Sequence, residues 1–129
     1  MSNKTILIVD DSATLRMSVE MTLNPLGYNI VQAVNGKDGL QTLDDLDAHG
    51  QVPDMIISDI NMPVMGGIEF IKEVKNTKFR YLPILVLTTE REESKKREGQ
   101  QAGASGWLVK PFQPQTLIAV VKKFTRTLS

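Results

Sequence analysis

Five short apolar runs spaced along the chain narrow its fold more than any other feature. They cover residues 6–9, 28–31, 55–57, 84–87 and 107–109. Most are continuous rather than alternating, the pattern of strands covered on both faces in a parallel sheet. Between them apolar residues recur at helical spacing: Leu15, Val19, Leu23 and Leu26; Leu40, Leu43 and Leu46; Ile68, Ile71 and Val74; Leu117, Val120 or Val121, Phe124 and Leu128. Residues 91–101 depart from this. They are charged or polar throughout, with no apolar stripe, and Gly99 costs a helix about 1 kcal/mol against alanine. The reading there is a marginal, mobile helix anchored by side-chain stems, its outer face fully solvated. Strand and helix thus alternate five times. That predicts an α/β fold: a doubly wound (βα)5 three-layer sandwich, helices on both faces of a parallel five-stranded sheet.

Composition excludes several functions. With 129 residues the chain fits one domain, 1–129. Fifteen basic and fifteen acidic residues cancel, so the basic excess of a non-specific nucleic-acid binder is missing. The absence of cysteine removes disulfides, thiolate metal sites and a cysteine nucleophile. The one histidine, His49, cannot by itself make a histidine metal site, and reads as a solvated helix end beside Gly50. No apolar run approaches the 18 or so residues of a membrane span, and the apolar stretch after Met1 is too short for a signal peptide. A cytoplasmic protein with no membrane insertion and no direct nucleic-acid contact is expected.

In parallel α/β sheets, ligands bind at the carboxyl ends of the strands. Here the first strand ends in Asp10 and Asp11, the third in Asp59, the fourth in Thr88 and Thr89, and the fifth in Lys110. Three neighbouring carboxylates raise one another's pKa unless a cation neutralises them. With oxygen donors alone that cation is hard, and Mg²⁺ suits the set. Mg²⁺ leaves ligand positions for water and phosphate, so a carboxylate oxygen stays free to accept a phosphoryl group. A lysine and a hydroxyl could then stabilise the transferred oxygens. Plainer readings exist for single residues. Asp11 or Ser12 could cap the first helix, and Thr88-Thr89-Glu90 could form a capping box for the fourth. The whole set has no comparable structural explanation.

The motifs Ile8-Val9-Asp10-Asp11, Ser58-Asp59-Ile60-Asn61-Met62-Pro63 with Gly67, Leu87-Thr88, Gly103-Ala104 and Lys110-Pro111-Phe112 span nearly the whole chain. Together they resemble the response-regulator receiver domain, in its single-domain chemotaxis form. The resemblance implies strand order 2-1-3-4-5 and a phosphoacceptor, Asp59, that takes its phosphoryl group from the phosphohistidine of a chemotaxis-type sensor kinase. It implies Mg²⁺ on Asp10, Asp11, Asp59 and the backbone carbonyl of Asn61, with Lys110 on the phosphoryl oxygen. Thr88 and Trp107 would act as switch residues, Asn61 and Glu90 would tune dephosphorylation, and the bond before Pro111 would be cis. It further implies a monomer whose output face is the fourth helix, fifth strand and fifth helix, binding a protein such as the flagellar motor switch. A phosphate sink or a regulator of a non-flagellar output is the alternative. Trp107 is larger than the Tyr or Phe common at its position. Two other classes fit less well. A phosphatase of the haloacid dehalogenase type needs Asp-x-Asp-x-Thr after the first strand, where this chain has Asp10-Asp11-Ser12-Ala13. A flavin-binding relative needs a Ser/Thr/Gly-rich phosphate loop there. The protein is thus expected to be a stoichiometric phosphoacceptor rather than an enzyme.

Overall fold

The computed structural model describes residues 4–126. The strands are β1 (Thr5–Val9), β2 (Asn29–Ala33), β3 (Met55–Ser58), β4 (Ile84–Thr88) and β5 (Gly106–Val109). The helices are α1 (Ala13–Leu23), α2 (Gly36–Ala48), α3 (Gly67–Lys75), α4 (Glu93–Ala102) and α5 (Pro114–Thr125). All pairings are parallel and the strand order is β2-β1-β3-β4-β5.

Two apolar layers flank the sheet. On one side Leu7, Val9, Ile56, Ile84 and Val86 pack with Leu43, Phe70, Ile71 and Val74 of α2 and α3. On the other, Ile6, Ile8, Ile57, Leu85 and Leu87 pack with Val19, Leu23, Leu117 and Val121 of α1 and α5. Continuous apolar runs therefore mean burial on both faces for β1, β3 and β4. The edge strands differ. β2 is buried only at Ala33 and β5 is half-buried throughout, because each lacks a neighbour on one side.

Two local readings change and one is not reached. Leu26 does not continue the stripe of α1: Pro25 turns residues 24–26 into a 3₁₀ turn and leaves Leu26 exposed. Leu128 lies outside the described residues. The capping box at Thr88 is overturned, since α4 begins five residues later at Glu93, with no side-chain cap. Ser12 does cap α1, its hydroxyl accepting from Leu15 N–H at 3.2 Å.

Gly99 has a role that helix propensity hides. It is the one buried residue of α4, and a Cβ there would stand 2.8 Å from Cζ3 of Trp107. The bare backbone lets the indole lie against the helix, so the glycine trades intrinsic helix stability for contact with β5. The rest of α4 is mostly exposed, as its composition requires.

Candidate functional site

The sheet register carries the site. Val9 pairs with Ser58 and Thr88 with Val109, so the residues just past these strands converge at one edge. Asp10, Asp11 and Asp59 each offer a carboxylate oxygen, and these oxygens lie within 4.8 Å of one another. Asp10 and Asp59 are buried, whereas Asp11 is exposed. Lys110 Nζ reaches between the buried pair, 3.0 Å from Asp10 Oδ2 and 3.3 Å from Asp59 Oδ2. The Lys110-Pro111 bond is cis, and Lys110 N–H donates to the Thr88 carbonyl at 2.8 Å.

Each acid is held differently. Asp10 accepts from Ser12 N–H at 2.8 Å through Oδ1 and from Lys110 through Oδ2. Asp59 Oδ1 accepts from Ile60 N–H at 2.7 Å, and Oδ2 accepts from Lys110. Thr88 is fully buried, and its hydroxyl accepts from Glu90 N–H at 3.2 Å. Trp107 is half-buried against the α2/α3 side of the core. Asn61 is exposed and Glu90 half-buried on the loops beside the site. His49 sits exposed at the end of α2, its Nδ1 2.8 Å from the Asp45 carbonyl and remote in sequence from the strand ends.

Burial holds the Asp10 carboxyl above its ordinary value of 3.8. Its hydrogen bonds from Ser12 and Lys110 pull the other way, and the neighbouring Asp59 charge adds to the rise. The folded protein then binds the Asp10 proton more tightly than the unfolded chain does. Metal-free stability therefore falls as pH rises from the ordinary carboxylate value through the raised one, and stays reduced at neutral pH. Asp10→Asn should raise the metal-free melting temperature at pH 7 by about 3–5 °C, roughly 1 kcal/mol. Calorimetry at pH 7 and again below the ordinary carboxylate value checks it, because the gain should vanish in acid.

The donor set fits a hard cation. Asp10, Asp11 and Asp59 would offer it carboxylate oxygens that lie within 4.8 Å of one another, and exposed Asp11 leaves the site open to water.

Composition and spacing did not single out Arg16. Its guanidinium donates to the Asp10 carbonyl at 2.6 Å and to Gln32 Oε1 at 2.8 Å. The signal was present in the sequence, an arginine one turn after the acidic pair and therefore over the strand ends.

A family model described as response regulator receiver domain matches residues 6–122. Chemotaxis protein CheY-3 of Vibrio cholerae is 40% identical over 116 residues, covering 89% of this chain and 86% of the relative. The crystal structure of the chemotaxis protein CheY4 of the same organism is 43% identical, covers 95% of this chain and 98% of that one, and superposes with a TM-score of 0.83. The receiver domain of a Pseudomonas aeruginosa sensor histidine kinase carries a magnesium ion in its active-site cleft. It is 26% identical, covers 97% of this chain and 99% of that one, and has a TM-score of 0.82. The chain also matches a Helicobacter pylori sensor histidine kinase, CheAY, at 36% identity, spanning 95% of this chain but only 15% of that protein.

Proposed function

This chain belongs to the response regulator receiver domain family, and on that footing we propose that it is a phosphorylation-controlled switch of the chemotaxis type. The observation carrying this reading is the meeting of three carboxylates with Lys110, which bonds both Asp10 and Asp59. Asp59 Oδ2 attacks phosphorus of a kinase phosphohistidine. A P–O bond forms, the P–N bond breaks, and the departing imidazole takes up a proton. Asp10, Asp11, Asp59 and the Asn61 carbonyl would hold Mg²⁺, which supplies charge neutralisation for the transferring group. Lys110, already against Asp59 Oδ2, binds a phosphoryl oxygen. The protein acts stoichiometrically, working from the cytoplasm.

Switching then has a physical origin. Phosphorylation adds about −2 charge at the strand ends. The Thr88 hydroxyl accepts from Glu90 N–H here. Its hydrogen is not used in that bond and can donate to a phosphoryl oxygen. Moving a two-state population from 1:99 to 99:1 needs about 5.5 kcal/mol. One charge-assisted hydrogen bond supplies about 1.5–3 kcal/mol. Thr88 therefore shares the work with the backbone near Thr89, the Trp107 ring and α4. The output face is α4, β5 and α5, with a protein partner such as the flagellar motor switch. Thr88→Ala should accept phosphate at close to the parent rate, yet lose most of the phosphorylation-dependent gain in partner affinity. Titrating partner binding with and without a phosphoryl mimic measures this.

The reaction itself is tested by intact mass after incubation with a small phosphodonor. One phosphoryl group that appears with Mg²⁺ and fails to appear with a chelator supports the proposal. An unmodified protein that also fails to take phosphate from a phosphorylated sensor kinase sinks it.

A further inference from the structure

The acidic cluster has a support that runs across the edge of the sheet. Arg16 Nη1 donates to the Asp10 carbonyl at 2.6 Å, and Arg16 Nε donates to Gln32 Oε1 at 2.8 Å. Gln32 Nε2 in turn lies 3.4 Å from Glu20 Oε1. Each donor in this chain meets an acceptor. Arginine has only donors, so Gln32 must turn its oxygen toward Arg16, which leaves its amide nitrogen for the Glu20 carboxylate. The chain crosses from α1 to β2 and ends on the carbonyl of the peptide that joins Asp10 to Asp11.

That peptide sets the direction of Asp11. Asp10 is pinned independently, its N–H on the Ala33 carbonyl and its carboxylate on Ser12 N–H and Lys110. Asp11 is exposed, and no hydrogen bond within the described residues holds its carboxylate. Its place in the cluster depends on the backbone before it. Arg16 spans two acceptors with a planar fork, which fixes the carbonyl against rotation in a way a single ammonium cannot.

We propose that Arg16, oriented by Gln32, is a positioning residue for the divalent-cation site, holding the Asp10-Asp11 peptide so that Asp11 faces Asp10 and Asp59. The proposal rests on the receiver reading above and adds to it a residue that touches neither metal nor phosphate.

The test is calorimetric titration of Mg²⁺ into the parent, Arg16→Lys, Gln32→Met and the double variant, beside their melting temperatures in chelator. Arg16→Lys keeps the charge but loses the fork. It should weaken Mg²⁺ binding about tenfold, the low end of what partners of metal ligands contribute. Gln32→Met leaves Arg16 intact and should weaken binding in the same direction by less. The double variant should bind no more weakly than Arg16→Lys alone, since the two act through one contact. The exposed Gln32 position keeps the test open if Arg16→Lys folds poorly. Parent-like affinity in both single variants overturns the proposal and leaves the receiver reading standing. So does tighter binding in Gln32→Met, which would make Arg16 only a competing charge. A parent that binds no Mg²⁺ overturns both.

Discussion

Asp59→Asn is expected to carry no phosphoryl group under conditions that modify every parent molecule, with the acceptance rate down by at least about a thousandfold, or 4 kcal/mol in the barrier. An amide oxygen is a poor nucleophile, and the substitution also removes one of the three charges that draw the cation in. The fold should survive. Asparagine keeps an oxygen for Ile60 N–H, which Asp59 Oδ1 now accepts at 2.7 Å. Lys110 loses its 3.3 Å contact with Asp59 Oδ2 but retains Asp10 Oδ2 at 3.0 Å. A time course of intact mass, read beside a thermal melt, separates lost chemistry from lost structure. Parent-like modification of the variant would move the acceptor to Asp10 or Asp11 and overturn the assignment.

Why these residues could be found from sequence at all is a matter of register. The acids, Thr88 and Lys110 each stand within two residues of the end of an apolar run, and a parallel sheet brings all such positions to one edge. Their convergence needs no knowledge of how the helices pack. The same logic located β1, β3 and β4, whose burial on both faces makes them unbroken apolar stretches. It blurred β2, an edge strand that runs on through Gln32 to Ala33, because a strand with one neighbour tolerates polar residues.

What stayed hidden depends on two segments meeting in space. Gly99 reads as a weak point in a charged helix until Trp107 is seen against it. Arg16 reads as one more polar residue of α1 until its reach to the Asp10 carbonyl and to Gln32 on β2 is seen. Thr88 reads equally well as a helix cap, and only the start of α4 at Glu93 removes that possibility. In each case the local pattern is compatible with two roles, and tertiary contact decides between them.

Gly67→Ala should be the most destabilising single change at the site, lowering stability by about 3 kcal/mol or more and the melting temperature by roughly 10–15 °C. A Cβ on Gly67 would stand 2.0 Å from the Asp59 carbonyl oxygen and 2.8 Å from Ile60 Cα. Both are backbone atoms, so no rotamer change relieves the clash. The turn must open, and opening it breaks the 2.8 Å hydrogen bond from Gly67 N–H to the Ile60 carbonyl. Gly66 is the control. Its φ of −77° suits any residue, and its added Cβ would meet only the Ile60 carbonyl oxygen, at 3.1 Å. Gly66→Ala should therefore cost no more than about 1 kcal/mol. Helix propensity favours alanine at Gly67, inside α3, and glycine at the N-cap Gly66, so it would narrow the gap rather than produce it. Thermal melts of both variants measure that gap, and phosphoryl acceptance well below their melting temperatures adds a second reading. If Gly67→Ala melts within a few degrees of Gly66→Ala, the turn yields easily and Asp59 is held from its own strand alone. If it melts far lower, and the folded fraction accepts phosphate slowly, the close approach of α3 to the Asp59 backbone is what keeps the acceptor oxygen aimed at Lys110.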